Sequence, residues 1–421
     1  METDQPNSIG FHGYVCIIIL FIINLLNYMD RYTIAAVLTQ VQKTYNINDA
    51  KGGLLQTVFI ISFLIFAPVC GFLGDRYNRK WIMAIGIAIW ILAVFASSFV
   101  PENLFFVFVL LRAVIGIGEA SYIVIAPTII ADTFVSLVRS RVLMFFYFAI
   151  PVGSGVGYMV GSWVASLFDD WRWGIRVTPF FGVVCLLLIT LVIKEPRRGE
   201  AENAVGAANA LEIEATSFFE DLKALFKIPT FVFATLGYTT VIFVVGTLGW
   251  WGPAAVEHSY ASREGLNNTD FLDTARKERV SLIFGAITLA SGVLGVFAGG
   301  FLAQDVVTPR RRGAANAWQT TFSHLFGDAS GPYIVGLISD LLRGSETTPE
   351  SHYKSLVNAF YFPTVLLLLG GILFFLAAYY FVSDNQKFQI EMGNFSLAST
   401  FLFLCCAVET RCLPHLVSQV F

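Results

Sequence analysis

The 421-residue chain has little charge, since Asp, Glu, Lys and Arg make up only 14% of its residues. Soluble domains usually carry about 25%, so this deficit argues against an ordinary water-soluble enzyme. The net charge of −3 provides no basic surface for a nucleic acid, and we expect no nucleic-acid partner. Six Cys in so long a chain are too few for a disulfide scaffold.

Motifs that carry common chemistry are also missing from the sequence. It contains no P-loop, so nothing indicates transport or catalysis driven by ATP. Its five His never take the H-E-x-x-H spacing of a zinc site. We therefore expect no enzyme activity, no catalytic residue, no metal site and no cofactor.

Apolar sequence is what the chain has in excess, with 56% hydrophobic residues, 40 Phe and 35 Gly. A membrane-spanning helix needs about 20 apolar residues. Ten such segments occur, near 14–38, 52–73, 81–99, 104–131, 142–167, 177–193, 230–256, 280–303, 314–342 and 356–382. Because backbone groups in lipid must be satisfied within the segment, the pattern predicts an all-α polytopic membrane protein. The pair Trp250-Trp251 closes the seventh segment and is predicted to be an interfacial anchor.

One polar stretch divides the spans into two groups. Residues 194–228 are predicted to be a cytosolic linker between a six-helix N-terminal bundle, 1–193, and an incomplete four-helix C-terminal bundle, 229–384. With a cytosolic N-terminus, basic residues concentrate on the side of the linker and acidic residues on the other side. A glycosylation sequon at Asn267 falls on the acidic side, where glycosylation occurs.

Four charged residues lie inside predicted spans. The first span carries Asp30 and Arg31, and the fourth carries Arg112 and Glu119. A charge at the bilayer centre costs at least about 2.5–3.5 kcal/mol, so these residues need partners or a water-filled cavity. Carboxylates that take up protons and arginines that hold an anion would form an ion-coupled substrate site. The alternative is a structural ion-pair network that fixes the helix register.

The loop after the second span reads G-F-L-G-D-R-Y-N-R-K at 71–80. It resembles motif A of the major facilitator superfamily, and the resemblance implies a conformational gate formed by Gly71, Gly74, Asp75, Arg76, Arg79 and Lys80. Asn78 stands where that family usually has Gly. Because Asn tolerates the left-handed conformation, we expect it to keep the turn.

A closer resemblance rests on N-Y-M-D-R-Y-T-I-A at 27–35, R-A-V-I-G-I-G-E-A-S-Y at 112–122, I-A-P-T-I-I-A-D at 125–132 and S-H-L-F-G-D-A-S-G-P-Y-I-V-G-L-I-S-D at 323–340. These stretches resemble the Spinster branch of the superfamily, the lysolipid and sphingolipid transporters. The resemblance implies a twelve-helix fold working by alternating access. It also implies proton coupling at Asp30 and Glu119 and head-group binding at Arg31 and Arg112.

The implied function is proton-coupled secondary transport of lysophospholipids or phosphorylated sphingoid bases. The implied location is the lysosomal, late endosomal or plasma membrane. Two alternatives stay open: a facilitator of another organic anion, and a non-transporting isoform that acts through partners. His324 and Asp328, four residues apart on one helix face, are a candidate polar site in the second half, with interhelical packing as the alternative.

Two features depart from the family. Asp305 follows the eighth span directly, so helices nine and ten are predicted to be missing. Both ends of this gap belong on the cytosolic side, and later helices keep their orientation. The tail, 385–421, also departs; we interpret it as a splice or gene-model tail, with a palmitoylated anchor on its three Cys as the alternative.

Overall fold

The computed structural model describes residues 11–134, 136–196, 218–302 and 312–391. Its secondary structure in those ranges is helical, apart from turns and loops. The α-helices in chain order are α1 Phe11–Ala36, α2 Leu38–Tyr45, α3 Asp49–Arg76, α4 Arg79–Ser97, α5 Phe105–Thr133, α6 Ser136–Leu167, α7 Trp171–Val192, α8 Phe218–Leu225, α9 Pro229–Arg263, α10 Thr274–Leu302, α11 Arg312–Phe326, α12 Gly331–Arg343, α13 Pro349–Ala359 and α14 Tyr361–Glu391.

Each of the ten apolar segments falls on helical structure. Nine helical stretches of the described chain are long and apolar enough to cross a membrane. The remaining segment, 314–342, is divided between α11 and α12. The predicted deletion at Gln304/Asp305 and the tail beyond residue 391 lie outside the described residues, so both stay predictions.

The N-terminal half, α1 to α7, buries the apolar faces of its helices against one another. Its main pairs are α1 with α6, α3 with α5 and α4 with α5 and α7. Asn78 caps the N-terminus of α4, because its side chain accepts a hydrogen bond from the Trp81 amide at 3.2 Å. Asn78 has an extended backbone, with φ −68° and ψ 113°. The expected left-handed conformation is therefore wrong, because this residue serves as a helix cap.

The C-terminal half contains a broken helix where the sequence pattern predicted a continuous one. α11 ends at Phe326, α12 begins at Gly331, and the amide of Ala329 bonds to the carbonyl of His324 at 3.0 Å. Small residues occupy the break, and Thr57 of α3 donates to the Ala329 carbonyl at 2.5 Å. A partner on another helix thus satisfies a carbonyl that a regular helix would have used, which permits the interruption.

The two halves meet along two seams, α3 with α12 and α6 with α10. We call the ends of the helices near α2 and near the connections 98–104 and 264–273 the outer end. A hydrophobic cluster at this end joins the two halves and includes Ile34, Tyr45, Trp171, Trp251, Val335 and Leu356. The outer end is therefore closed by packing between the halves.

The tryptophan pair of α9 belongs to this closed interior. Trp250 is 3% exposed and Trp251 is fully buried. The indole Nε1 of Trp251 donates to the Pro332 carbonyl at 2.8 Å, across to α12. The predicted interfacial anchor is thus wrong, because these rings fill the protein core and α9 continues for three more turns to Arg263.

Candidate functional site

The four charged residues of α1 and α5 form two crossed ion pairs. Nη2 of Arg31 lies 3.0 Å from Oε1 of Glu119, and Nη1 of Arg112 lies 3.5 Å from Oδ2 of Asp30. All four residues are buried. Adjacent residues 30 and 31 therefore pair with different turns of α5, and the two turns between Arg112 and Glu119 match this arrangement. Each charge receives an opposite partner inside the N-terminal half.

An aromatic ring lies between the two arginines. The guanidinium carbon of Arg31 is 4.8 Å, and that of Arg112 is 5.2 Å, from the centre of the Phe59 ring. Tyr28 approaches Arg31 in the same way, at 5.0 Å. Cation–π contacts of this kind stabilise a desolvated guanidinium without using its N–H groups.

Several guanidinium donors are left for another group. Within the part of the chain that the structure describes, Nε of Arg31 and both Nε and Nη2 of Arg112 are buried without a hydrogen-bond partner. A buried donor without a partner costs free energy, and a guanidinium fork matches phosphate geometry. The arrangement can therefore hold an oxyanion on the arginines.

Close helix contact makes this arrangement possible. A Cβ atom on Gly116 of α5 would lie 2.2 Å from the Phe59 carbonyl of α3. Only glycine lets these two backbones approach, and this approach places Phe59 beside the arginines. From α7, the Thr178 hydroxyl donates to Oδ1 of Asp30 at 3.2 Å. Contacts from α3 and α7 therefore fix the position of the crossed pairs on α1 and α5.

The second-half pair lies at the break between α11 and α12. Nδ1 of His324 and Oδ1 of Asp328 are 2.9 Å apart. The structure thus brings the two residues into contact, although Asp328 follows the end of α11 instead of sharing its face. The neighbouring Ala329 is bonded to Thr57, two residues before Phe59, so the break lies against the helix that carries this ring.

Motif A lies at the end of α3 that is opposite the outer end, which we call the inner end, and at the start of α4. Gly71 and Gly74 face α5, and Asp75 and Arg76 are exposed. Buried Arg79 binds a carboxylate on each side, with Asp132 at 2.5 Å and Glu195 at 3.2 Å. The remaining residue, Lys80, lies over the Trp81 ring at 5.8 Å. Arg79 thus ties the loop to α5 and to the chain segment after α7.

A second charged group, which we call the outer cluster, consists of Asp49, Asp340, Arg343 and His352. Nη1 of Arg343 is 2.5 Å from Oδ2 of Asp49, and Nη2 is 2.5 Å from Oδ1 of Asp340. Asp340 also accepts hydrogen bonds from the amides of Asp49 and Ala50, at 3.1 and 2.8 Å. A carboxylate of the C-terminal half therefore caps α3 of the N-terminal half.

The outer cluster could not be found in the sequence. Its members are separated by up to about 300 residues, and no spacing rule joins them. Among the described residues, the ion pairs between the halves, Asp49 with Arg343 and His352 and Lys43 with Asp270, lie at the outer end. Asn267, the predicted glycosylation site, is exposed in the loop between α9 and α10 at this end.

Comparison with known proteins places the chain in a family. The family model described as Major Facilitator Superfamily matches residues 20–305. The rat protein spinster homolog 1 is 40% identical over 446 residues, which cover 90% of this chain and 83% of the rat protein. The Drosophila melanogaster protein spinster is 40% identical over 398 residues, which cover 80% of this chain and 63% of that protein.

Solved structures show the same fold. A bacterial homolog of the human lysosomal transporter Spinster, inward-facing and unoccupied, matches with a TM-score of 0.72 and 19% identity, covering 90% of this chain and 99% of that chain. The occupied inward-facing form matches with a TM-score of 0.68 and 18% identity, covering 89% of this chain and 98% of that chain. The chain is therefore a multi-pass integral membrane transporter that belongs to the Spinster family of the major facilitator superfamily.

Proposed function

We propose that the chain transports lysophospholipids or phosphorylated sphingoid bases in exchange for, or together with, protons. The crossed, buried ion pairs of α1 and α5 carry this proposal. In it, Asp30 and Glu119 take up and release protons, and Arg31 and Arg112 bind the anionic head group. The membrane and the lipid are the partners of the chain, and protons are the coupling ion.

The coupling follows from competition for the guanidinium groups. An incoming phosphate competes with the carboxylate that each arginine already holds. A carboxylate that loses its arginine in a buried site is stabilised by taking up a proton. Binding of the anion therefore favours protonation of Asp30 or Glu119, and no other residue is needed for this coupling.

The lipid class is supported by the family relationship and by the second half of the site. The relatives named above are spinster proteins at 40% identity over most of this chain. His324 and Asp328 would contact the substrate from the C-terminal half, because their neighbour Ala329 is bonded to α3, the helix that carries Phe59. Binding to both halves is what an alternating-access transporter requires of its substrate.

In the proposed transport cycle, the outer and inner ends of the molecule are the two gates. The outer end is closed by the outer cluster and by buried Trp251. At the inner end, Asp75 and Arg76 of motif A are exposed, and Asp75 forms no ion pair with a residue that the structure describes. We propose that motif A closes the inner end when the outer cluster opens.

Proteoliposome uptake tests the proposal. Labelled lysophosphatidylcholine and sphingosine-1-phosphate are offered across a pH gradient to the wild-type chain and to Asp30→Asn. A matched control is Glu102→Gln, which neutralises an exposed acid at the outer end. We expect pH-dependent uptake by the wild type and Glu102→Gln and loss of the pH dependence in Asp30→Asn. If the chain takes up neither lipid but does take up another organic anion, the lipid proposal is wrong and the chain transports that anion class instead.

A second candidate is a non-transporting isoform, and the alignment with the relatives favours it. That alignment spans 446 residues although only 90% of this chain lies within it. The relative therefore holds residues without a counterpart here, enough for two spanning helices of about 20 residues each. The relative contains the hairpin that this chain is predicted to lack. Inserting that hairpin between Gln304 and Asp305 distinguishes a transporting chain from a non-transporting one. Uptake gained only on insertion would identify the present chain as non-transporting.

A fluorescent fusion would show whether the membrane is lysosomal, late endosomal or plasma membrane.

A further inference from the structure

The protonation state of His352 can be read from its contact with Arg343. Nη1 of Arg343 lies 2.7 Å from Nδ1 of His352. A guanidinium has only N–H groups and cannot accept a hydrogen bond. Nδ1 must therefore accept, which requires a neutral imidazole with its proton on Nε2. A proton on Nδ1 would place two N–H groups against each other and add a positive charge beside Arg343.

A second histidine lies directly on the first. The rings of His258, on α9, and His352, on α13, stack with centroids 4.5 Å apart and planes 4° from parallel. His258 is 8% exposed, and its Nδ1 has no hydrogen-bond partner among the described residues. Two neutral rings stack favourably, whereas two imidazolium rings at this distance repel each other.

The charged neighbours of this pair come from two helices. Asp49 of α3 lies 3.8 Å from Nδ1 of His352, and Asp340 and Arg343 come from α12. Asp49 is already bonded to Arg343, to Gln42 at 2.8 Å and to Ser339 at 2.8 Å.

The other acid near the pair is turned away from it. Glu257 precedes His258 on α9, and its carboxylate accepts a hydrogen bond from Thr39 at 2.6 Å. No carboxylate is therefore left free, among the described residues around the pair, to take a second cation.

We propose that His258 and His352 form a latch that opens the outer end when the outer compartment is acidic. The latch rests on the proposed alternating-access function. Protonation of His352 breaks its bond with Arg343 and makes it compete for Asp49, which holds the two halves together. Protonation of His258 then separates the stacked rings. Burial of His258 and the Arg343 guanidinium beside His352 oppose protonation, so the latch opens at or below the acid end of the ordinary histidine range of about pH 5 to 8.

Distance measurement between the halves tests the latch without any transport. Spin labels are placed at Lys51→Cys on α3 and Thr347→Cys in the loop after α12, both exposed positions, in a chain whose native Cys are replaced. The chain is held in lipid nanodiscs at about pH 8 and at a series of lower values down to about pH 4, below the ordinary range of histidine. We expect a shift to longer distance at lower pH, reversed when the pH is raised.

The decisive variant is His352→Asn, since an amide oxygen accepts from Arg343 at every pH of the series. We expect the acid shift to be lost in this variant, while its distance at about pH 8 stays that of the wild type. His258→Phe keeps a stacked ring and removes one charge, so its shift should move to lower pH. It also provides a readout if His352→Asn does not fold. A wild type without the shift, or an unchanged shift in both variants, overturns the latch.

Uptake assays separate this result from the proposed function. Asp30→Asn should lose coupled uptake and keep the acid shift, because it lies outside the latch. Loss of lipid uptake in the wild type with the shift retained would overturn the transport proposal alone. Lipid uptake without the shift would overturn the latch alone.

Discussion

The crossed pairing of α1 and α5 predicts which charges depend on each other for stability. Arg31→Met leaves Glu119 charged and without its guanidinium, in a site where the Glu119 side chain is 1% exposed. With an effective dielectric constant of about 20, charges 3–4 Å apart interact by roughly 4–5 kcal/mol. Removal of one partner of a buried pair typically costs about 3–5 kcal/mol. We expect a loss of that size in the free energy of unfolding.

Removal of the second partner should recover much of this loss. In Arg31→Met/Glu119→Gln the buried charge is gone, so we expect the double variant to be less destabilised than additivity predicts, by about 2–3 kcal/mol. The matched control is Arg31→Met/Asp30→Asn, which takes one charge from each pair and leaves Glu119 and Arg112 both without partners. Its effects should be closer to additive than those of Arg31→Met/Glu119→Gln.

Unfolding in mixed detergent micelles, titrated with a denaturing detergent, measures all three free energies. The reasoning would be refuted by additive effects in Arg31→Met/Glu119→Gln, within about 0.5 kcal/mol. It would also be refuted if the larger coupling appeared between Arg31 and Asp30, its neighbour in the sequence. Either result would mean that the charges do not pair across the two helices as the structure shows.

Other substitutions test the helix contacts and the outer end. Gly116→Ala should destabilise the chain by about 1–3 kcal/mol, measured by the same unfolding titration, because its Cβ would meet the Phe59 carbonyl at 2.2 Å. Trp251→Phe should cost about 1 kcal/mol in that titration, since it removes the 2.8 Å hydrogen bond to the Pro332 carbonyl. Asn267→Gln should abolish a glycosidase-sensitive mobility shift on gels, because this exposed side chain lies at the outer end; an unchanged shift would assign the glycan elsewhere.

Most of the fold follows from the sequence. The apolar segments predict the spans because a lipid-embedded backbone has no alternative to the helix over about 20 residues. What hydropathy cannot predict is local geometry. The break after Phe326 depends on a hydroxyl of α3 that satisfies the Ala329 carbonyl. Residue type predicts an interface position for the two tryptophans of α9, whereas both side chains are buried in the structure.

The sequence predicts which charged residues form the candidate site, but it does not predict which of them pair with each other. Charges in an apolar segment identify Asp30, Arg31, Arg112 and Glu119, because their burial needs compensation. Which charge meets which depends on the rotation of α1 and α5 about their axes, and neighbouring residues 30 and 31 turn out to have separate partners. The outer cluster was missed for a related reason, since only the packing of α3 against α12 brings it together.

The cap that Asp340 provides for α3 differs in one respect from the crossed pairs. The amides of Asp49 and Ala50, the Asp340 carboxylate and the Arg343 guanidinium all lie at an end of the bundle. Water can hydrate each of these groups when the halves separate, so the cost of parting is lower than it would be in the bilayer interior. Water does not replace the partners of the crossed pairs in the bilayer interior, where the proposed substitutes are a bound anion and a proton, and these pairs lie within one half. The chain therefore keeps its crossed pairs within one half and places the contacts that must break between the halves where solvent can hydrate the separated groups.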